Sequence, residues 1–258
     1  VYSAWVPGHV GGESETVLGK WFAQGGGRRE KVLIATKVAK WPKRPGLKPA
    51  NIIAACDESL QRMQIEVIDL YQLHEDDMSV PPEDYMGALG DLVKAGKVRA
   101  VGLSNFTPER TLAAIKAGGP RVETMQPEYS LMSRAIETDM APLCVRENIS
   151  LITYFALASG YLSGKYRTAA DKAKSVRGGR MDAYMDGQGP AVLAAMDAVS
   201  AKTGATLAQI ALAWLMAKPG VAAPIASATS VAQLDELMGA LRIRLDAEDI
   251  AALDRASA

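Results

Sequence analysis

Short apolar runs rich in β-branched residues recur along this chain, separated by longer stretches in which apolar residues return every three to four positions. The runs at 32–36, 67–71, 98–103, 123–126, 151–154 and 221–225 read as strands, and the first five begin roughly 25 to 35 residues apart. Between them lie amphipathic helical stretches. Residues 13–24 put Val17, Leu18, Trp21 and Phe22 on one face, and 48–63 does the same with Ile52, Ile53, Cys56 and Leu60 behind Pro49. Residues 82–95 open on proline and acids and stop before Gly96, Thr107 caps a helix that starts at Pro108, and 137–147 continues the alternation. This order predicts parallel βαβ units in one domain over 1–258, of class α/β. A (β/α)8 TIM barrel fits best, with an open doubly wound sheet as the alternative. A dinucleotide-binding open sheet carries G-x-G-x-x-G after its first strand. Here Gly25-Gly26-Gly27 precedes a strand and reads as a helix end and turn.

The last interval departs from the pattern. Residues 158–189 read as a long loop carrying Lys165, Arg167, Arg177 and Arg180, either a solvated loop or a cationic lid over an anionic ligand. Helices at 190–202 and 206–217 precede the last strand, and helices at 231–241 and 246–255 close the chain.

Composition narrows the partners. In 258 residues, 29 Lys and Arg balance 29 Asp and Glu, so no global field attracts nucleic acid or an anionic membrane. No apolar run approaches the ~20 residues that span a bilayer. Cys56 and Cys144 make no disulfide framework and read as buried thiols; with His9 and His74 they leave little for zinc, so no metal is expected. The start has no secretory signal pattern, which points to a cytoplasmic protein. Oligomeric state is not written in these patterns.

In a β/α barrel the chemistry sits where strands end and helices begin. The strands here end on Lys37, His74, Ser104-Asn105, Gln126 and Tyr154, polar residues that a barrel core does not need. Lysine and histidine on one rim suit proton transfer to or from a carbonyl or hydroxyl. No G-x-S-x-G elbow and no cysteine at a strand end offers a nucleophile. The acids that follow His74, Glu75-Asp76-Asp77, read as a solvated loop.

These residues, in this order, resemble the aldo/keto reductases over nearly the whole chain. Tyr2, in a segment followed by Gly12-Glu13-Ser14-Glu15, is similar to the family's catalytic tyrosine; Lys37 and His74 match its lysine and histidine. The resemblance implies reduction of a small aldehyde or ketone by hydride transfer from NADPH, with NADH as the alternative. Tyr2 would be the general acid, Lys37 its tuner and His74 the group orienting the carbonyl. An ammonium beside a phenol lowers a pKa that otherwise lies near 10. By the same resemblance Ser104, Asn105 and Gln126 hold the nicotinamide carboxamide, and Tyr154, with Phe155 beside it, meets the ring. Leu157, Ser159, Gly160 and Lys165 line the pyrophosphate, while Ser227, Thr229, Ser230 and Gln233 open a helix suited to a phosphate. Many members place Lys or Arg where this chain has Thr229 or Ser230, and an asparagine where it has Leu237. Trp5 and Trp41 are candidates for walling an apolar substrate pocket, or for packing loops.

The family pairs its lysine with an aspartate five residues before the tyrosine, a position ahead of Val1. The first strand, its helix and most of the second strand would also precede Val1. The resemblance therefore implies an N-terminally truncated member, an open barrel with exposed apolar edges. The rival reading is a catalytically impaired cofactor-binding or regulatory barrel, similar to the family's channel-associated members. A barrel isomerase or lyase is a third.

Overall fold

The computed structural model of the chain describes residues 8–174, 179 and 181–258. Tyr2, Trp5, Arg177 and Arg180 lie outside the described residues. Contacts divide the chain into two units, Val1–Gln126 and Pro127–Ala258.

In the first unit the order is α1 (Glu13–Phe22), β1 (Ala35–Val38), β2 (Lys40–Trp41), β3 (Arg44–Pro45), α2 (Pro49–Met63), β4 (Ile68–Leu73), α3 (Pro82–Lys94), β5 (Val98–Ser104), α4 (Pro108–Lys116) and β6 (Val122–Gln126). β1, β4, β5 and β6 lie side by side in that order, and each neighbouring pair is parallel. Parallel neighbours need a long crossover, which α2, α3 and α4 supply. The helices bury their apolar stripes: Ile52, Cys56 and Met63 of α2 and Tyr85 and Leu89 of α3 are buried, as are Ile68, Tyr71 and Leu73 of β4. Each such side chain contributes about 1.5–3 kcal/mol by leaving water. Thr107 caps α4 as expected, its side chain accepting from the Arg110 N–H at 3.3 Å. Close strand packing explains one glycine: a Cβ at Gly102 would lie 2.1 Å from the Thr124 hydroxyl oxygen.

Three expectations change here. The first strand runs three residues later than its apolar run. Asp69 takes the Ile34 N–H (2.8 Å) and the Leu70 N–H bonds the Ile34 carbonyl (2.9 Å), so the ladder opens at Ala35↔Leu70 and leaves Leu33 85% exposed. Lys37 therefore stands inside β1, between buried Thr36 and Val38, rather than after it. Second, α1 buries only part of the apolar face that its periodicity marks: Leu18 and Phe22 are half-buried. Glu15 and Gly19 face inward, whereas Val17 is 65% exposed and Trp21 is also exposed. A Cβ at Gly19 would lie 2.4 Å from the Arg62 carbonyl oxygen, so the glycine lets α1 press onto the end of α2. Third, the acids after His74 are not all solvated. Glu75 makes an exposed pair with Lys40. Asp76, by contrast, accepts from Nε and Nη2 of Arg110 at 2.7 and 2.9 Å, with both side chains mostly buried. Asp77 accepts from the Leu47 N–H (3.0 Å) and from Ser79, and these bonds hold its carboxyl below the usual range.

In the second unit a 3-10 turn (Ala135–Glu137) leads into α5 (Met140–Arg146), β7 (Ser150–Thr153), 3-10 segments Ala158–Ser163 and Ala169–Lys174, α6 (Asp182–Met185), α7 (Gly189–Thr203), α8 (Leu207–Met216), β8 (Val221–Pro224), α9 (Val231–Gly239) and α10 (Ala247–Ala256). β7 and β8 pair in parallel. The core gathers on α8, whose Trp214 is fully buried beside Tyr129, Leu193, Met196, Ile210 and Leu253. The Trp214 indole N–H is satisfied by Asp254 at 2.8 Å, and Lys218 shares that carboxylate at 2.6 Å. Thr206 and Gln209 close a capping box at the start of α8. The stretch expected as a bare loop carries the two 3-10 segments and α6. Its Arg167 is engaged in a two-pronged pair with Asp197 at 2.8 and 2.9 Å.

Cys56 and Cys144 are free and buried, and burial pushes both thiols up to about 12. Among the described residues no helix is long and apolar enough to cross a membrane, and no group of His, Cys, Asp and Glu could hold a metal ion.

Candidate active site

The C-terminal ends of β1, β4, β5 and β6 gather the polar residues of the first unit. His74 follows β4 directly; its N–H donates to the Val38 carbonyl at 2.9 Å, and the side chain is carried into a buried position, 8% exposed. Burial, and then the nearby cations Lys37 and Lys40, push its pKa down to about 3, so the imidazole is neutral at pH 7. β1 is followed by Ala39, whose φ of 99° is a conformation that side chains rarely adopt.

Asn105 follows β5 in the left-handed region (φ 57°). Its amide donates to the His74 carbonyl at 2.9 Å and to the Ser104 hydroxyl at 3.1 Å; that hydroxyl in turn donates to the Gln126 carbonyl at 2.8 Å. One chain of bonds thus ties the ends of β4, β5 and β6 together. Gln126 is 4% exposed and its side-chain oxygen has no hydrogen-bond partner among the described residues. Such an atom costs about 1–3 kcal/mol unless something else bonds it. A concavity of about 540 Å³ lies elsewhere, among Arg29, Leu33, Val67 and Arg99 at the opposite ends of the strands, and is not lined by these residues.

Trp41 lies on β2. Its indole N–H donates to the Val10 carbonyl at 2.7 Å, and the Arg62 guanidinium sits 5.2 Å from its ring centre, a packing role for the loop before α1. Sequence reasoning gave no role to Glu15. It is 4% exposed, accepts from the Thr36 hydroxyl at 2.5 Å and from Arg62 Nε at 2.7 Å, and so reaches the residue beside Lys37. Its one available signal was the Glu15/Gly19 pair, one helical turn apart on the narrow face of α1.

In the second unit Tyr154 follows β7, half-buried, with its ring 5.2 Å from that of Phe155 at 74°. Phe155, Ala158, Ser159 and Gly160 all have positive φ (53°, 46°, 58° and 100°). Concentrated left-handed residues form concave backbone turns of the kind that bind anions. Ser159 is buried, Leu157 half-buried, and Lys165 exposed with its ammonium 5.0 Å from the Tyr166 ring centre. After β8, Ser227 is exposed. Ser230 caps α9 by accepting from the Gln233 N–H at 3.2 Å, while Gln233 accepts from the N–H and hydroxyl of Thr229, both at 2.9 Å.

The description of the Aldo/keto reductase family matches residues 3–258. The chain is 32% identical to an uncharacterized oxidoreductase, YrpG, of Bacillus subtilis over 254 residues, covering 93% of this chain and 76% of the relative. It is 33% identical over 249 residues to the aldo-keto reductase yakc [NADP(+)] of Schizosaccharomyces pombe, covering 91% and 72%. Among solved structures it is similar to the thermostable aldo-keto reductase Tm1743 in complex with the inhibitor epalrestat. The TM-score is 0.78 at 27% identity, over 96% of this chain and 79% of that one. The α/β alternation is thus that of the (β/α)8 class expected from sequence, in preference to an open doubly wound sheet. On its own sequence and on its fold, the chain belongs to the aldo/keto reductase family of oxidoreductases.

Proposed function

We propose that the protein reduces small aldehydes or ketones to alcohols with a nicotinamide cofactor. The observation that carries this reading is the buried, neutral His74 just beyond the end of β4 with the Lys37 cation of the adjacent parallel strand β1 near it. A neutral imidazole donates a hydrogen bond to a carbonyl oxygen without being consumed as an acid, and so holds the carbonyl in one orientation. Lys37 favours the ionised form of a neighbouring phenol and so makes Tyr2, placed by sequence alone, a competent proton donor to the developing alkoxide.

The residues present fit the cofactor. Gln126 offers a buried amide oxygen that lacks a donor among the described residues, and a carboxamide NH2 is such a donor. Ser104 and Asn105 brace it, and the bond to the His74 carbonyl keeps the same group next to the catalytic histidine. When bound, the reduced nicotinamide supplies the hydride. In the second unit Tyr154 and Phe155 offer aromatic faces, Leu157, Ser159, Gly160 and Lys165 suit the pyrophosphate, and the start of α9 at Ser227, Thr229 and Ser230 suits a phosphate. We take NADPH as the cofactor, with NADH as the alternative: one relative is named for NADP(+), while Thr229, Ser230 and Gln233 carry no charge and bond one another. Trp5 and Trp41 are proposed to border the substrate.

The test is NADPH oxidation with a panel of small aldehydes, alongside fluorescence titration of the cofactor. Turnover that disappears in Tyr2→Phe while cofactor affinity holds supports the reductase. Cofactor binding with no turnover in the parent favours the regulatory reading.

A further inference from the structure

We propose that Glu15 is a positioning residue for Lys37, acting through Thr36; this rests on the catalytic role assigned to Lys37 above. β1 has four residues and pairs in parallel with β4. A strand so short fixes its side chains weakly unless something else holds its face. Two carboxylates do this. Asp69 fixes the entry through the Ile34 N–H, and Glu15 fixes the middle through the Thr36 hydroxyl at 2.5 Å.

Because strand side chains alternate, holding Thr36 toward α1 turns Lys37 to the opposite face, and a slip of one residue would exchange them. Glu15 is itself held. Arg62 Nε bonds it at 2.7 Å; the Arg62 head is in turn placed by the Trp41 ring and by Glu58, and Gly12 and Gly19 leave no room for side chains that would lift α1 away. Glu15, Thr36 and Lys37 also border one cavity of about 100 Å³ with Leu18 and Met63. The carboxylate therefore sets the face of β1 on which the ammonium projects, and through it the ammonium's distance from the phenol it tunes.

Thr36→Val keeps the side-chain shape and removes the hydroxyl; Thr36→Ser keeps the hydroxyl and removes a methyl. A misplacement of about 1 Å in a catalytic group costs up to ~100-fold in rate. The expected result is a kcat for Thr36→Val lower by roughly 10- to 100-fold, with KM and melting temperature close to the parent. The alkaline limb of the kcat profile should move to higher pH, because a less tuned phenol ionises later. Thr36→Ser should retain most of kcat, and Glu15→Gln should follow Thr36→Val. Parent kcat and an unmoved limb in Thr36→Val overturn the proposal. So does equal loss in Thr36→Val and Thr36→Ser that tracks a common fall in melting temperature. Lys37→Met separates the two levels: if it turns over like the parent, the catalytic reading itself has failed. If it is inactive while Thr36→Val is not, only the role of Glu15 has.

Discussion

Replacing His74 by Gln removes a group that folding forces to give up its proton. Burial, reinforced by Lys37 and Lys40, brings its folded pKa to about 3, against about 6.5 in an unfolded chain. Between those values the unfolded chain binds the extra proton and the folded chain does not, so the stability linked to this group rises with pH. It is fully present above pH 6.5 and lost as pH falls, by about 1.4 kcal/mol per unit well below that value. The loss amounts to about 2 kcal/mol at pH 5 and about 4 kcal/mol at pH 3. The assay is urea unfolding of the parent and His74→Gln at pH 5, 6, 7 and 8. The parent should lose stability relative to the variant by about 2 kcal/mol between pH 8 and pH 5, most of it below pH 6.5. Parallel stability curves for the two proteins would refute the buried, neutral histidine and, with it, the way the carbonyl is said to be held.

Gln126→Leu should weaken NADPH binding about tenfold, the worth of one hydrogen bond of ~1–1.5 kcal/mol, without lowering the melting temperature, since the buried acceptor that lacks a partner goes with it; unchanged affinity by titration would remove Gln126 from the cofactor site. Gly19→Ala should lower the urea midpoint by an amount equivalent to about 1–3 kcal/mol, because the new Cβ meets the Arg62 carbonyl; an unchanged midpoint would show that α1 is not tightly seated on α2.

The alternation of strands and helices was legible because each periodicity is local, and the polar residues Lys37, His74 and Gln126 in or just beyond the strands stood out because barrel cores do not need them. What was not legible depends on partners far away in sequence. The register of β1 is set by Asp69, whose carboxylate meets Ile34 35 positions earlier. The inward face of α1 is chosen by Arg62, 47 positions beyond Glu15, which outweighs the apolar stripe of Val17 and Trp21. Asp76 read as solvated because its partner Arg110 lies 34 positions on. The buried role of Glu15 was hidden for the same reason: a glutamate in the first turn of a helix is ordinarily explained by the helix dipole and water.

The two sequestered cysteines have a practical corollary. With both sulfhydryls near 12, about one in ten thousand is thiolate at pH 8, and neither is accessible to solvent. Maleimides and disulfide reagents should therefore leave the folded protein unmarked. A single cysteine introduced on an exposed turn would then be the only labelled position, so a fluorophore attached there would report on that turn alone, against a silent background.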